Sequence, residues 1–193
     1  MAVRPVAGSE GPPRPTAARP AARLDRSTAP GANAARRLGS EYMIWLTTVR
    51  SDGVPQPSGV WFHWDGEDVL IFSEPGAPKV RNIRRNPHVA LNLDGDGTGG
   101  GLVIIAGAAR ILPDPPDDQR LTRYRQKYAH LSYNNLGAEV EHMLRRFSAA
   151  ILIAPTHYLA HGVSGGGPES RSAWCAPGRG PRSAGHLGAG VVP

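Results

Sequence analysis

A turn that leads into a short basic segment offers the clearest chemistry in the sequence. Ser73 ends an apolar run, Pro75-Gly76 forms a turn, and Lys79, Arg81 and Asn82 follow in an amphipathic segment. A glycine-containing turn into a helix exposes backbone N–H donors, and the helix dipole favours an anion there. Lys79 adds a compact positive charge, and Asn82 lies on the same helical face. The pattern indicates a phosphate site, with a solvated basic helix face as the alternative.

Other site chemistries lack the residues that they need. The sequence has no Gly-x-Ser-x-Gly nucleophile motif, and its single cysteine, Cys175, lies in a Gly/Ser/Pro-rich segment. Seven histidines are scattered without the spacing of metal ligands. The segment 94–99 imitates a calcium loop, but its twelfth position is Ile105 instead of glutamate. We therefore expect no metal, interpret 94–101 as a hairpin loop, and assign no catalytic residue.

The distribution of charge limits the possible partners. The chain has 193 residues and a net charge of +6, but residues 1–37 hold seven Arg against two acidic residues. Residues 38–162 carry 12 basic and 13 acidic side chains, so the central part is nearly neutral. We expect no nucleic-acid partner. We also expect no membrane partner, because no apolar run approaches the roughly 18 residues that a span needs. A lone cysteine favours a cytoplasmic location.

Composition divides the chain into three parts. Residues 1–29 and 163–193 are rich in Ala, Pro, Arg and Gly and have no apolar period. Such segments bury too little apolar surface to offset the entropy of ordering. We predict two disordered tails around one folded domain, residues 30–162.

The central part begins with a strand pattern. β-branched and aromatic runs occupy residues 42–49, 54–64 and 69–73, separated by Asp52-Gly53 and Asp65-Gly66. Runs joined by Asp-Gly turns predict an antiparallel meander.

The remaining elements follow from apolar periodicity and from Pro and Gly breaks. Strands are predicted at 89–93, 102–112 and 149–159, and helices at 77–86, 117–130 and 136–146, with a short helix from an Asn33 cap to Leu38. About six antiparallel strands with few helices predict a mainly-β fold, a small closed or split barrel.

Several of these motifs together resemble the pyridoxamine-phosphate-oxidase-like split-barrel flavoproteins. The resemblance rests on residues 45–49, 52–66 and 73–91, and it covers about residues 38–162. With Asp94-Gly95-Asp96-Gly97, the sequence is most similar to the branch of deazaflavin (coenzyme F420)-dependent oxidoreductases. The resemblance implies a six-stranded antiparallel split β-barrel with a few peripheral helices, assembled as a homodimer with cofactor in grooves at the subunit interface.

The resemblance also implies roles for individual residues. Those that would hold the cofactor phosphate are Ser73, Lys79 and Asn82, with Arg81 contributing charge; those that would lie along the ring system and its linker are Gln56, Ser58, Val60 and Trp61. In a strand, residues 56, 58 and 60 point to one side, whereas Trp61 and Phe62 point to opposite faces. Arg123 or Lys127 could meet the cofactor's polyglutamate tail, or both could simply be solvated.

The activity that the resemblance implies is hydride transfer between F420 and a small electron-poor organic substrate. FMN is the alternative cofactor, but residues 54–64 contain no Arg or Lys to meet the FMN phosphate. Tyr124 and His63 are the side chains considered as proton donors. The alternative of another class is a non-enzymatic cofactor-binding or nucleic-acid-contacting protein.

Overall fold

The structure is a computed structural model that describes residues 22–97, 100–135 and 140–161. Within these ranges six antiparallel strands close a barrel in the order β1-β2-β3-β6-β5-β4. The strands are β1 (Met43–Val49), β2 (Pro55–Trp64), β3 (Val69–Ser73), β4 (His88–Leu93), β5 (Val103–Ile111) and β6 (Ala149–Ala160). The helices are α1 (Ala29–Ser40), α2 (Pro78–Arg85), α3 (Asp118–Asn135) and α4 (Val140–Arg146). The predicted mainly-β, six-stranded antiparallel barrel is confirmed.

The two Asp-Gly turns form the hairpins that the sequence predicts. Between β1 and β2, Gly53 adopts a φ of 83°, and the Asp52 carboxylate accepts a hydrogen bond from the Val54 N–H at 3.2 Å. Between β2 and β3, Gly66 adopts a φ of 107°, and the Asp65 carboxylate accepts hydrogen bonds from two backbone N–H groups of the turn. Glycine is suited to these positions because it adopts positive φ without steric cost.

Strand β2 changes its partner partway along its length. Residues 55–61 are in register with β1, whereas only residues 62–64 are in register with β3. Residues 59–61 of β2 and residues 72–73 of β3 therefore lie beyond the paired part of these neighbours. The barrel wall is split at this point.

A bulge between β5 and β6 lets the last strand run through a proline. The register shifts between Ala106 and Gly107, and Gly107 then lies opposite Pro155. Proline has no N–H to donate to the ladder, so it is tolerated in strands mainly at such irregular positions. A Cβ at Gly107 would meet the Ala154 carbonyl oxygen and Ile153 Cγ2, each at 2.8 Å. Glycine is therefore required here by close backbone approach.

Side chains that point inward at alternate positions of the strands fill the barrel, and helices α1 and α2 cover its ends. On β2, Val60, Phe62 and Trp64 are at most 8% exposed and point into the main apolar core. Helix α2 packs on β1 and β5, at the end of the barrel where β3 finishes. Helix α1 packs on β2 and β6, and the Arg37 guanidinium donates to the carbonyl oxygens of Asp94 and Gly101 in the β4–β5 loop.

The prediction of a helix cap at Asn33 is wrong. The cap is Thr28, which has extended backbone angles and whose side-chain oxygen accepts a hydrogen bond from the Gly31 N–H at 3.2 Å. Pro30 then fits the first helical turn, where its missing N–H costs nothing. The Asn33 carbonyl oxygen instead accepts from the Arg36 guanidinium. Helix α1 consequently begins a full turn earlier than periodicity suggested.

The segment before α1 packs on the barrel. The Ala22 N–H donates to the Pro155 carbonyl at 2.8 Å, and Leu24 packs against the main core. Residues 22–29, which composition assigned to the N-terminal tail, therefore make contacts with the folded domain. Residues 1–21 and 162–193, including Cys175, lie outside the described residues.

Two helix predictions differ from the structure in their bounds. Helix α3 continues five residues past the predicted end at 130, and α4 is described only from Val140, since residues 136–139 lie outside the described ranges. Among the described residues no helix combines the length and the apolarity that a membrane crossing requires.

Replacing Gly107 with Ala should destabilise the fold, because the added methyl group overlaps the neighbouring strand. We expect the free energy of unfolding, measured by urea titration, to fall by roughly 1–3 kcal/mol. Gly39→Ala is the matched control, because a Cβ there meets nothing within 4 Å in helix α1. The control should leave stability unchanged or raise it by up to about 1 kcal/mol. Equal stability of both variants would show that the backbones of β5 and β6 do not approach closely at the bulge.

Candidate functional site

A cleft of about 600 Å³ opens where β2 and β3 separate. Its walls come from both strands, from the first turn of α2 and from the outer helices α3 and α4. The lining residues are Gly59, Val60, Trp61, Phe72, Ser73, Lys79, Tyr124, His142, Met143, Arg146 and Phe147. The split in the barrel wall thus creates the largest of the three described pockets.

The cleft collects half of the residues that the sequence assigned to cofactor binding. Val60, Trp61, Ser73 and Lys79 line it. The other four do not line it: Gln56, Ser58, Arg81 and Asn82 lie on β2 or α2 outside the cleft.

One end of the cleft has the features of an anion site. Ser73 is 2% exposed at the end of β3, and Lys79 is half-buried in the first turn of α2. Ala77, the N-cap of α2, provides no side-chain hydrogen bond to the helix. Pro78 follows as the first helical residue, so its fixed φ starts the helix. The N–H groups of Ala77 and Val80 already donate to the carbonyls of Glu74 and Ala77, so the features that favour an anion at this end are the Ser73 hydroxyl, the Lys79 ammonium and the helix dipole.

Asn82 fixes α2 against the barrel through a buried side chain. Its amide nitrogen donates to Thr48 Oγ1 at 3.0 Å and to Gln56 Oε1 at 3.1 Å, and its carbonyl oxygen accepts from the Arg85 guanidinium at 2.8 Å. Asn82 is 3% exposed, and Thr48 is fully buried. Gln56 and Asn82 thus bind each other and hold the helix that carries Lys79.

Arg81 contacts the turn that precedes its own helix. Its guanidinium donates to the Gly76 carbonyl, while the side chain stays exposed. Arg81 therefore adds positive charge next to the cleft without lining it.

Aromatic rings form the long wall of the cleft. The Trp61 indole stacks on Tyr128, with ring centroids 4.5 Å apart and an interplanar angle of 4°. Tyr124 meets Phe72 edge-on at 4.8 Å and Tyr128 at 4.8 Å. The Tyr128 hydroxyl accepts from the Phe62 N–H at 2.7 Å and lies 2.7 Å from the Tyr42 carbonyl. These contacts attach α3 to the outer face of β2.

The two side chains considered as proton donors differ in position. Tyr124 lines the cleft, and burial raises the pKa of its hydroxyl well above the usual value, so the phenol stays protonated. His63 does not line the cleft. Burial and the nearby Lys127 ammonium lower the pKa of His63, so its ring is neutral at pH 7. In the described ranges no three His, Cys, Asp or Glu side chains converge as metal ligands.

Sequence reasoning missed the residues that α4 and the position after it place over the split. His142, Met143, Arg146 and Phe147 belong to or follow a predicted helix, but nothing in the sequence said which strands that helix covers. The spacing of His142 and Arg146, four residues apart, places them on one helical face and was the one available signal. Arg146 Nε lies 2.7 Å from Glu74 Oε1, in the turn after β3.

Lys127 and Arg123, considered for the cofactor tail, lie outside the cleft. The Lys127 ammonium lies 3.9 Å from the Phe62 ring centroid, and among the described residues it has no hydrogen-bond partner. Burial lowers the pKa of Lys127 to about 8, against a smaller opposing effect of the Glu41 carboxylate. Lys127 therefore faces the barrel wall instead of solvent.

The molecule is thus a split six-stranded barrel whose cleft joins the Ser73 and Lys79 end to a wall of aromatic side chains. The model of the pyridoxamine 5'-phosphate oxidase family matches residues 32–158, well over half of the chain. The chain belongs to this family. The match begins in α1 and ends in β6, so it covers the whole barrel.

Comparison with solved structures finds chains that are similar to this one. A conserved hypothetical protein from Mycobacterium tuberculosis is similar with a TM-score of 0.52 and 23% identity, covering 71% of this chain and 92% of that protein. An F420 reductase is similar with a TM-score of 0.48 and 27% identity, over 64% and 93% of the two chains. An FAD-binding protein from Mesorhizobium loti has a TM-score of 0.49 and 22% identity, over 66% and 90%.

Replacing Lys127 with Met should stabilise the protein, because burial of the ammonium opposes folding at neutral pH. We expect the free energy of unfolding at pH 7 to rise by roughly 1–2 kcal/mol after allowance for partial solvent screening. In the wild type the pKa of the Lys127 ammonium is 10.5 in the unfolded chain and about 8 in the folded chain. Between these pH values the unfolded chain therefore binds more protons than the folded chain. Stability should therefore rise between these pH values, and this rise should be absent in the variant.

Gln126→Met is the matched control, because Gln126 is exposed on the same helix. It should change neither the stability nor the pH profile, both followed by chemical denaturation. A less stable Lys127→Met variant would mean that the contact between the ammonium and the Phe62 ring outweighs the cost of burial.

Proposed function

We propose that this chain is an F420-dependent oxidoreductase that transfers a hydride between the deazaflavin and a small electron-poor organic substrate in the cytoplasm. The observation that carries the proposal is the cleft, which joins an anion-binding end at Ser73 and Lys79 to an aromatic wall. Membership in a family of oxidoreductases supports it.

The chemistry of the cleft residues fits a phosphorylated tricyclic cofactor. Ser73 and Lys79 would hold the phosphate, because they combine a hydroxyl and an ammonium at the positive end of the α2 dipole. Trp61, with the adjoining backbone of β2, would lie along the ring system. Asn82 and Gln56 would act by fixing α2, since their side chains bind each other and Thr48.

The distribution of positive charge favours F420 over FMN. Strand β2 contains no Arg or Lys, so the cations that line the cleft are Lys79 and Arg146. Arg146 is already paired with Glu74 at 2.7 Å. A phosphodiester such as that of F420 carries one negative charge, whereas the phosphomonoester of FMN carries nearly two at pH 7. The smaller charge matches this site better.

When bound, reduced F420 would supply the hydride. The protein's own residues would orient the ring against the aromatic wall and exclude water from the cleft, which is the usual role of a protein toward its cofactor. The Tyr124 hydroxyl remains protonated in the cleft, so it could donate a hydrogen bond to a substrate but would release its proton only reluctantly. No residue is assigned as catalytic.

Lys79→Ala should weaken F420 binding while leaving the fold intact. Loss of a hydrogen bond to a charged group corresponds to about 1.5–3 kcal/mol, or roughly a tenfold to hundredfold rise in Kd. The measurement is a fluorescence titration of the purified full chain with F420 and, separately, with FMN. Arg84→Ala is the matched control, because it removes one positive charge from the exposed part of the same helix.

Each outcome of the titrations has a distinct meaning. An equal loss of F420 affinity in Lys79→Ala and Arg84→Ala would mean that only long-range charge matters. Lys79 would then have no direct contact with the phosphate. Tighter binding of FMN than of F420 would assign the cofactor to the flavins. Uptake of neither cofactor would favour a non-enzymatic or nucleic-acid-contacting protein.

The proposed assembly is a homodimer with the cofactor at the subunit interface. Four large apolar side chains are exposed on and beside β1 and β2: Tyr42, Met43, Trp45 and Val54, between 37% and 48% exposed. Met43 and Trp45 alternate outward on β1, so they share one face of the sheet. A second copy of this chain would cover the face, since contiguous exposed apolar surface favours association.

Met43→Glu should weaken self-association at least tenfold, measured by sedimentation velocity over a concentration series. In a two-fold dimer each substitution occurs twice, so the new charges lie in one interface. Ala32→Glu, which adds the same charge on exposed α1, should leave the dimer unchanged. F420 binding should fall together with dimer content. A Met43→Glu variant that remains fully dimeric would exclude this face as the interface.

A further inference from the structure

The ion pair between Arg146 and Glu74 lies beside the proposed phosphate site. Glu74 follows Ser73 directly in the chain, and Arg146 lines the cleft from α4. Their side chains meet at 2.7 Å between Arg146 Nε and Glu74 Oε1. The pair thus connects α4, which covers the split, to the turn that directly follows Ser73.

This ion pair can rearrange at little cost. The Arg146 side chain is 69% exposed and that of Glu74 is 44% exposed. Exposed pairs contribute little to stability, because water screens the charges and two long side chains must be held in one geometry. An anion that enters the cleft could therefore attract the Arg146 guanidinium away from Glu74. The Glu74 carboxylate would then remain beside the anion without its partner.

The charges around this end of the cleft nearly balance. Lys79 and Arg146 bring two positive charges, and Glu74 brings one negative charge. Arg81 is exposed and donates to the Gly76 carbonyl, so solvent screens its charge. His142 lines the same cleft and is exposed. The lining residues and their ion-pair partner therefore present about one net positive charge to a phosphate.

We propose that Glu74 is a specificity-determining residue that makes this cleft favour a phosphodiester, with one negative charge, over a phosphomonoester, with about two. This inference rests on the proposed function, since it assumes that the phosphate lies at Ser73 and Lys79. The repulsion from the Glu74 carboxylate scales with the charge on the neighbouring phosphate group, so its free-energy cost about doubles from diester to monoester, and the carboxylates of the F420 tail are not part of this local comparison. Arg146 is then the shared cation, attracted by Glu74 in the free protein and by phosphate in the complex.

The test measures Kd for F420 and for FMN with the full-length wild type and with Glu74→Gln. Removing the negative charge should tighten F420 binding about threefold and FMN binding about tenfold, because doubling a free-energy change squares the ratio of affinities. Comparing each ligand with itself cancels the contribution of its ring. Arg146→Gln should act in the opposite direction, weakening FMN binding more than F420 binding.

Glu67→Gln is the matched control. Glu67 also lies in a turn next to a strand and pairs with an arginine, Arg23, at 2.8 Å, but Arg23, unlike Arg146, does not line the cleft. It should leave both dissociation constants within a factor of two of the wild type.

Failure of this inference can be distinguished from failure of the proposed function. Tight F420 binding by the wild type, with equal changes for both ligands in Glu74→Gln or no change at all, would overturn the role of Glu74 and leave the function standing. Absence of F420 binding, together with a selective gain for FMN in Glu74→Gln, would support the role of Glu74 and overturn the proposed cofactor. If neither ligand binds any variant, both are wrong.

Discussion

The exchange of partners along β2 is the constraint on which the site depends. Residues 55–61 of this strand bind β1, and residues 62–64 bind β3. Had β2 and β3 stayed paired to their ends, Trp61 and Ser73 would lie in one continuous sheet with no space between their strands. Because they separate, a cleft opens in the wall of a barrel whose interior is fully packed. Trp61 and Phe72 reach the cleft from the outer face of these strands, whereas Val60 belongs both to the core and to the cleft.

Buried polar contacts then hold the walls of the cleft in place. Three polar residues are buried among those described, Thr48, Ser73 and Asn82, and all belong to the end of the barrel where α2 docks. The Asn82 amide satisfies its hydrogen bonds within the protein, so α2 has a fixed orientation relative to β1 and β2. On the other side, the Tyr128 hydroxyl binds backbone groups of Phe62 and Tyr42 and fixes α3. The residues that line the cleft are thus supported by neighbours that do not line it.

This division of roles changes the interpretation of several residues. Asn82 and Gln56 resemble ligand-binding residues in the sequence, yet their side chains bind each other. Lys127 resembles a surface cation on an amphipathic helix, yet its ammonium lies against the Phe62 ring. Arg146 and Glu74, 72 positions apart, form a contact beside Ser73 that no local pattern indicates. Chemistry-bearing residue types are necessary for a site, but their partners decide what they do.

The sequence by itself determined the strands, the turns and the segment from Ser73 to Lys79 that reaches one end of the cleft. Strand alternation, Asp-Gly turns and the Ser73–Lys79 spacing are local, because they depend on backbone geometry within about ten residues. Only the tertiary structure decided where α3 and α4 pack and that β2 and β3 separate, because both depend on long-range packing. The Thr28 cap of α1, in contrast, rests on local contacts with Asp25 and Gly31 and on Pro30 in the first turn, so its signal was present in the sequence. Contacts between residues far apart in the chain leave no periodic trace in it, so the cleft could not be derived from the chain alone.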